Sequence, residues 1–200
     1  MIKNIIFDFG DIFINLDKEA PFREMAKFGL NRMPLELEPI LKNFEMGFME
    51  SDEFVNSLQQ IFNSASKEQI IYAWNSMILD FPEERLDFIE KMKLENKYRL
   101  FLLSNTNDLH IEKVVENMGM ERFQRFKNCF EKFYLSQEMK MRKPNSNIYE
   151  FVLKENGLKA DETFFIDDTM ENTVSASKLG IHCWNLKVGQ ENVLDILSHL

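Results

Sequence analysis

The chain has 200 residues, 33 acidic against 24 basic, for a formal net charge of -9, and 44% are hydrophobic, including 19 Phe and 12 Met. That length suits one domain, or one domain with a modest insertion. The acidic balance argues against nucleic acid and anionic membranes as partners, because both need clustered Lys and Arg. No apolar run approaches the roughly 20 residues that span a bilayer. Ile5-Ile6-Phe7 is too short for a secretory signal and is interrupted by Asp8 and Asp11. Cys129 and Cys183 have no CxxC spacing, so both are expected as reduced, buried thiols. These features predict a cytoplasmic globular protein.

In chain order, the first predicted strand covers residues 4–9. About 80 residues without a strand signal follow, and they read as four helices at 18–28, 34–44, 52–62 and 67–79. Phe54, Val55, Leu58, Ile61 and Phe62 make one apolar stripe at helical spacing. Ser66 and Gln69 have capping-box spacing. Further strands are expected at 98–103, 163–166 and 181–186, with a weaker candidate at 129–135. They are apolar nearly throughout, the pattern of parallel strands buried on both faces. Helical patterns at 107–117, 146–155 and 171–179 end at Gly119, Gly157 and Gly180, where C-caps belong. This order predicts an α/β, doubly wound parallel sheet with a helical insertion. Residues 1–16 and 81–200 are expected as the core and 17–80 as the cap.

Ligands bind beyond the carboxyl ends of such strands. There the sequence places Asp8, then Ser104-Asn105, then Asp167-Asp168, with Arg142-Lys143-Pro144 ahead of a helix. Carboxylates this close repel unless a cation lies among them. Hard oxygen donors with open positions suit Mg²⁺, and a carboxylate can also be a nucleophile. The chemistry points to metal-assisted phosphoryl transfer.

The ordered set Asp8, Ser104, Lys143 and Asp167-Asp168 resembles the four motifs of the haloacid dehalogenase-like (HAD) hydrolase superfamily. The helical insertion resembles that family's type-1 cap. The stretches 103–110, 134–144 and 44–54 are similar to its α-D-glucose-1-phosphatase-like branch. The resemblance implies a Rossmann-like core and a phosphatase of small phosphorylated metabolites, such as sugar 1-phosphates, acting as a monomer with Mg²⁺. It implies Asp8 as nucleophile, with Asp8, the Gly10 carbonyl and Asp168 on the metal. Ser104 and the Asn105 amide would contact phosphate, and Lys143 would bridge phosphate and Asp8. Asp167 and Asn172 would support the site from behind.

One departure stands out. Most phosphatases of the superfamily carry an Asp acid/base two residues after the nucleophile, where this chain has Gly10. Its absence predicts a preference for easy leaving groups, such as an anomeric oxygen, with Asp11 or water left open as the substitute. Lys140 stands where the branch tends to have Gly. His110, Arg142 and His199 are expected at the surface, and His182 and Cys183 in structural roles. Glu45 and Gly47 are expected in a cap loop facing the site. The rival readings are a metal-independent 2-haloacid dehalogenase and a non-catalytic phosphometabolite-binding protein.

Overall fold

The structure is a computed structural model that describes residues 1–29 and 34–200. Residues 30–33, within the stretch expected as cap, lie outside the described residues.

Five strands, β1 (Asn4–Phe7), β2 (Arg99–Ser104), β3 (Lys132–Leu135), β4 (Thr163–Asp167) and β5 (His182–Asn185), form one sheet in the order β3-β2-β1-β4-β5. Every neighbouring pair is parallel. Successive side chains of a strand point to opposite faces, and the strand residues divide accordingly. Ile5, Phe7, Leu100, Leu102, Phe164 and Ile166 enter one apolar cluster. Ile6, Phe101, Leu103 and Phe165 enter another. Burial on both faces explains why the strands are continuously apolar. The first cluster is covered by α5 (Glu83–Glu95), α6 (Asp108–Met118) and α7 (Met120–Lys127), and the second by α9 (Ser146–Glu155) and α10 (Met170–Ser177).

Among the described residues, four helices, α1 (Ala20–Ala26), α2 (Leu37–Glu45), α3 (Ser51–Ile61) and α4 (Lys67–Asn75), lie between β1 and α5. They surround a separate apolar cluster with Phe44, Phe54, Leu58 and Ile70 at its centre. The Ser66–Gln69 capping box forms as expected. Two chain segments join this block to the sheet. They pair with each other through Asn15 N to Asp80 O and Asp17 N to Met77 O, each 2.9 Å, around a Leu16–Ile78 bridge. A short helix, α8 (Ser136–Met139), follows β3 and ends at Lys140 with φ +57°. That left-handed backbone is the physical reason a glycine suits position 140.

Three of the described helices, α5, α7 and the four-residue α8, have no counterpart in the sequence reading. α5 buries only Leu86, Ile89 and Met92, and α7 only Phe123 and Phe126. Gly119, expected only to end α6, does so at φ +83° and lets α7 begin at once. Cys129 is buried, whereas Cys183 is only half-buried, and both are free thiols.

Candidate active site

β1 and β4 are neighbours with Phe7 opposite Ile166, so Asp8 and Asp167 leave the sheet side by side. The loop before α9 sends Lys143 between them. Its Nζ donates to Asp8 Oδ1 at 2.7 Å, Asp167 Oδ2 at 2.7 Å and the Leu103 carbonyl at 2.8 Å. The three ammonium protons are thereby matched by three acceptors, and the side chain is 1% exposed. Burial works against the Lys143 charge, but the two carboxylates outweigh it and hold the ammonium above its ordinary value. Burial pushes the Asp8 carboxyl up to about 7; Lys143 pulls it down and Asp167 adds to the rise.

Asp167 is fully buried. Its Oδ1 accepts from the Thr169 amide at 2.8 Å and its Oδ2 from Lys143, while Asn172 Nδ2 reaches both oxygens at 3.0 Å. Asn172 thus braces the Asp167 carboxylate. Asp168 turns instead to the cleft, where Oδ2 accepts from Lys18 Nζ at 2.5 Å. Asn105 also lines the cleft, and its side-chain amide exchanges two 2.9 Å hydrogen bonds with the Lys143 backbone. Ser104 is buried at the end of β2, with only a 3.4 Å contact from Oγ to the Asn105 carbonyl.

Asp8, Asp167 and Asp168 can each present a carboxylate oxygen within 4.8 Å of the others. Both oxygens of Asp167 are taken by protein donors, whereas Asp8 and Asp168, engaged through one oxygen each by Lys143 and Lys18, keep a second oxygen that could hold a cation, with Gly10 beside them on the cleft wall. An all-oxygen set of this kind fits Mg²⁺, which keeps waters and takes only one or two carboxylates. Asp8 could then attack an electrophile held opposite Lys143.

The cleft has a volume of about 390 Å³. Leu16, Lys18, Glu45, Met77, Arg142 and Glu171 are among its other walls, and no aromatic side chain lines it among the described residues. Glu45 lines the cleft, whereas Gly47 is not among its walls and packs instead against the Gln137 carbonyl of α8. Arg142 is not the surface residue expected: its Nε meets Glu45 Oε2 at 2.8 Å, from the other side of the cleft. Asp11 turns away, with Oδ1 on the Leu16 amide at 3.1 Å and Oδ2 2.9 Å from Lys18. It lines a neighbouring cavity with Asp80 and Arg85. A Cβ at Gly10 would lie 2.7 Å from Leu16 Cδ1.

His110 also departs from expectation. It is buried, stacked on Trp74 with centroids 4.9 Å apart, and its ordinary value falls to about 4 because burial disfavours the charged ring. His199 stacks on Trp184 at 3.8 Å, and His182 is exposed. Lys18, Trp74 and Ser136 were not singled out from the sequence, because only distant chain segments bring them to this region.

A family model described as haloacid dehalogenase-like hydrolase matches residues 5–186. The chain belongs to this family. Within the HAD-like hydrolases it is 27% identical to a D-ribitol-5-phosphate phosphatase of Bacteroides thetaiotaomicron, over 96% of this chain and 95% of the relative. A wild-type HAD family enzyme from the same species, solved with magnesium and inorganic phosphate, superposes with a TM-score of 0.82 at 37% identity, covering 96% of this chain and 97% of that one. A HAD-like hydrolase from Porphyromonas gingivalis gives 0.82 at 30% identity, covering 100% of this chain and 97% of that one. An L-2-haloacid dehalogenase shares the fold, with a TM-score of 0.61 at 14% identity.

Proposed function

We propose that this HAD-like hydrolase is a Mg²⁺-dependent phosphatase of small sugar or polyol phosphates. The observation that carries the reading is Asp8, held by Lys143 against Asp167 and facing a cleft into which Asp168 also turns. The related enzyme with bound magnesium and phosphate supports it. In this reading a free oxygen of Asp8 attacks phosphorus, the bond to the leaving oxygen breaks, and water hydrolyses the phosphoaspartyl intermediate. Lys143 orients Asp8 and offsets phosphate charge, Ser104 and the Asn105 amide receive phosphoryl oxygens, and Asn172 keeps Asp167 in place. Mg²⁺ on Asp8, Asp168 and the Gly10 carbonyl would supply charge neutralisation and align the phosphate.

Residues 1–16 and 81–200 serve as the catalytic core and 17–80 as the cap. A cleft of about 390 Å³ without aromatic walls among the described residues favours a small hydroxylated leaving group over a nucleobase. Gly10 favours an anomeric leaving oxygen, as in a sugar 1-phosphate, because no carboxylic acid stands there to protonate a poorer one. A cytoplasmic monomer is part of the same proposal; the charge of -9 disfavours nucleic acid and anionic membranes as partners, and no helix among the described residues is long and apolar enough to cross a membrane.

The test is phosphate release with and without Mg²⁺ over a panel holding glucose 1-phosphate, D-ribitol 5-phosphate, nucleotides and a 2-haloacid control. Metal-dependent release from a sugar or polyol phosphate, lost in Asp8→Asn, is expected. Release undiminished in Asp8→Asn refutes the assignment. Equal rates on glucose 1-phosphate and D-ribitol 5-phosphate refute the leaving-group argument alone.

A further inference from the structure

The loop after β2 is tied to the helical block at two places. Asn107, the N-cap of α6, uses its side-chain oxygen to accept from the His110 amide at 3.1 Å and from Trp74 Nε1 at 3.4 Å. Its amide group donates to His110 Nδ1 at 3.1 Å. With Nδ1 accepting, the ring proton lies on Nε2, which donates to the Trp74 carbonyl at 3.2 Å. Trp74 belongs to α4 and also packs edge-on against Phe54 at 4.9 Å. The second tie is Ser136. Its hydroxyl accepts from the Thr106 amide at 2.9 Å and donates to the Glu45 carbonyl at 2.6 Å, at the end of α2. Ser136 and Asn107 are both buried, so neither bond is exchanged for water without cost. The ties thus fix Thr106 and Asn107, the two residues that directly follow Ser104 and Asn105.

We propose that Trp74, Asn107 and His110 form a positioning strut that couples the docking of α4 to the geometry of loop 104–106, so that phosphate bound at the loop changes the surroundings of Trp74. This rests on the reading of Ser104 and Asn105 as phosphate contacts. Asn107 is the shared element. A shift of the loop that moves its side chain must lengthen the Trp74 bond, the His110 bond or both, and the stacked rings move with them. Coupling of this kind is reciprocal: whatever phosphate does to the strut, the strut does to phosphate affinity.

The chain has two tryptophans, and Trp184 lies on β5 against His199, so Trp184→Phe leaves Trp74 as sole reporter. Inorganic phosphate is titrated into that variant in saturating Mg²⁺, followed in parallel by tryptophan emission and calorimetry. A saturable emission change with the calorimetric Kd is expected. In the added presence of His110→Gln the change should shrink about fivefold and the Kd rise about three- to tenfold, the size of one or two hydrogen bonds. Calorimetric binding with constant Trp74 emission overturns the strut while leaving the phosphate loop intact. A response undiminished in His110→Gln overturns it as well. Absence of calorimetric binding refutes the phosphate-loop reading and the strut together. The first titration leaves every strut residue in place, so it decides the matter even if His110→Gln fails to fold.

Discussion

Acid should loosen this protein at His110. An unfolded histidine titrates near 6.5, whereas burial against Trp74 lowers the folded value to about 4. The folded value is the depressed one, so the stabilisation is complete above pH 6.5 and is lost as the pH falls toward 4. Each pH unit in that window costs about 1.4 kcal/mol. By about pH 5 the loss is roughly 2 kcal/mol, and below about pH 4 it levels off near 3 kcal/mol. The cause is local: a protonated Nδ1 would face the Asn107 amide group that now donates to it. Asp8 acts in the opposite sense, because its folded value lies above its unfolded one and acid favours its folded form. The assay is therefore a comparison. Urea midpoints are measured near pH 7.5 and pH 5 for the wild type and for His110→Gln, whose side chain stays neutral. The wild type should lose about 2 kcal/mol more than the variant between the two pH values. A difference between the proteins that is equal at both pH values would refute the reasoning.

Three other perturbations have definite outcomes. Lys143→Met strands Asp8 and Asp167 in the interior and should cost about 3–5 kcal/mol by urea denaturation at neutral pH, with less loss in acid, where Asp8 protonates, and with turnover abolished. Gly47→Ala places a Cβ 2.1 Å from the Gln137 carbonyl oxygen at φ +65°, so the tip between α2 and α3 must lift from α8. We expect a loss of about 2 kcal/mol by urea denaturation and a raised KM; an unchanged midpoint would contradict the close approach. Gly10→Asp should gain little by itself because Leu16 Cδ1 occupies the space. Combined with Leu16→Ala it should speed release from D-ribitol 5-phosphate at least about tenfold, the low end of general-acid catalysis, as read by kcat.

The sheet was legible because its strands are apolar on both faces, and a run such as Arg99–Ser104 has no other economical reading. β3 read weakly for a physical reason: it is an edge strand with Lys132 exposed and Phe133 and Tyr134 only half-buried. α5 escaped notice because Leu86, Ile89 and Met92 stand among charged neighbours. In the site, Asp8, Asp167 and Lys143 were legible as polar residues closing apolar runs or preceding a helix. The partners that complete it were not. Lys18 meets Asp168 across 150 positions, Arg142 meets Glu45 across 97, and His110 meets Trp74 across 36. No local periodicity records such pairings. His110 looked like a surface residue because the helix that buries it lies in another part of the chain.

The charge of the site sharpens the meaning of the overall acidity. Asp8 and Asp167 share Lys143, and Asp11 and Asp168 share Lys18. Four carboxylates against two ammonium groups leave two formal negative charges at the carboxyl end of the sheet, while Arg142 and Glu45 cancel each other at the rim. A single divalent cation brings this cluster to neutrality, and a phosphate arriving at Lys143 then meets no net repulsion from the carboxylates around it. A monovalent cation would leave one charge uncompensated in a partly buried cleft, where Coulomb energies are several times larger than in water. The Lys18 bridge bears on the same balance: its Nζ is held by Asp168, one of the two carboxylates with an oxygen left for metal, and by Asp11, which faces away from the cleft. If Asp168 turned to a metal ion, Asp11 would keep the ammonium in place beside the cleft. In the proposed reading, the acidity that disfavours polyanions over the surface would be, at this one rim, half of a site for a small phosphate, with the divalent ion as the other half.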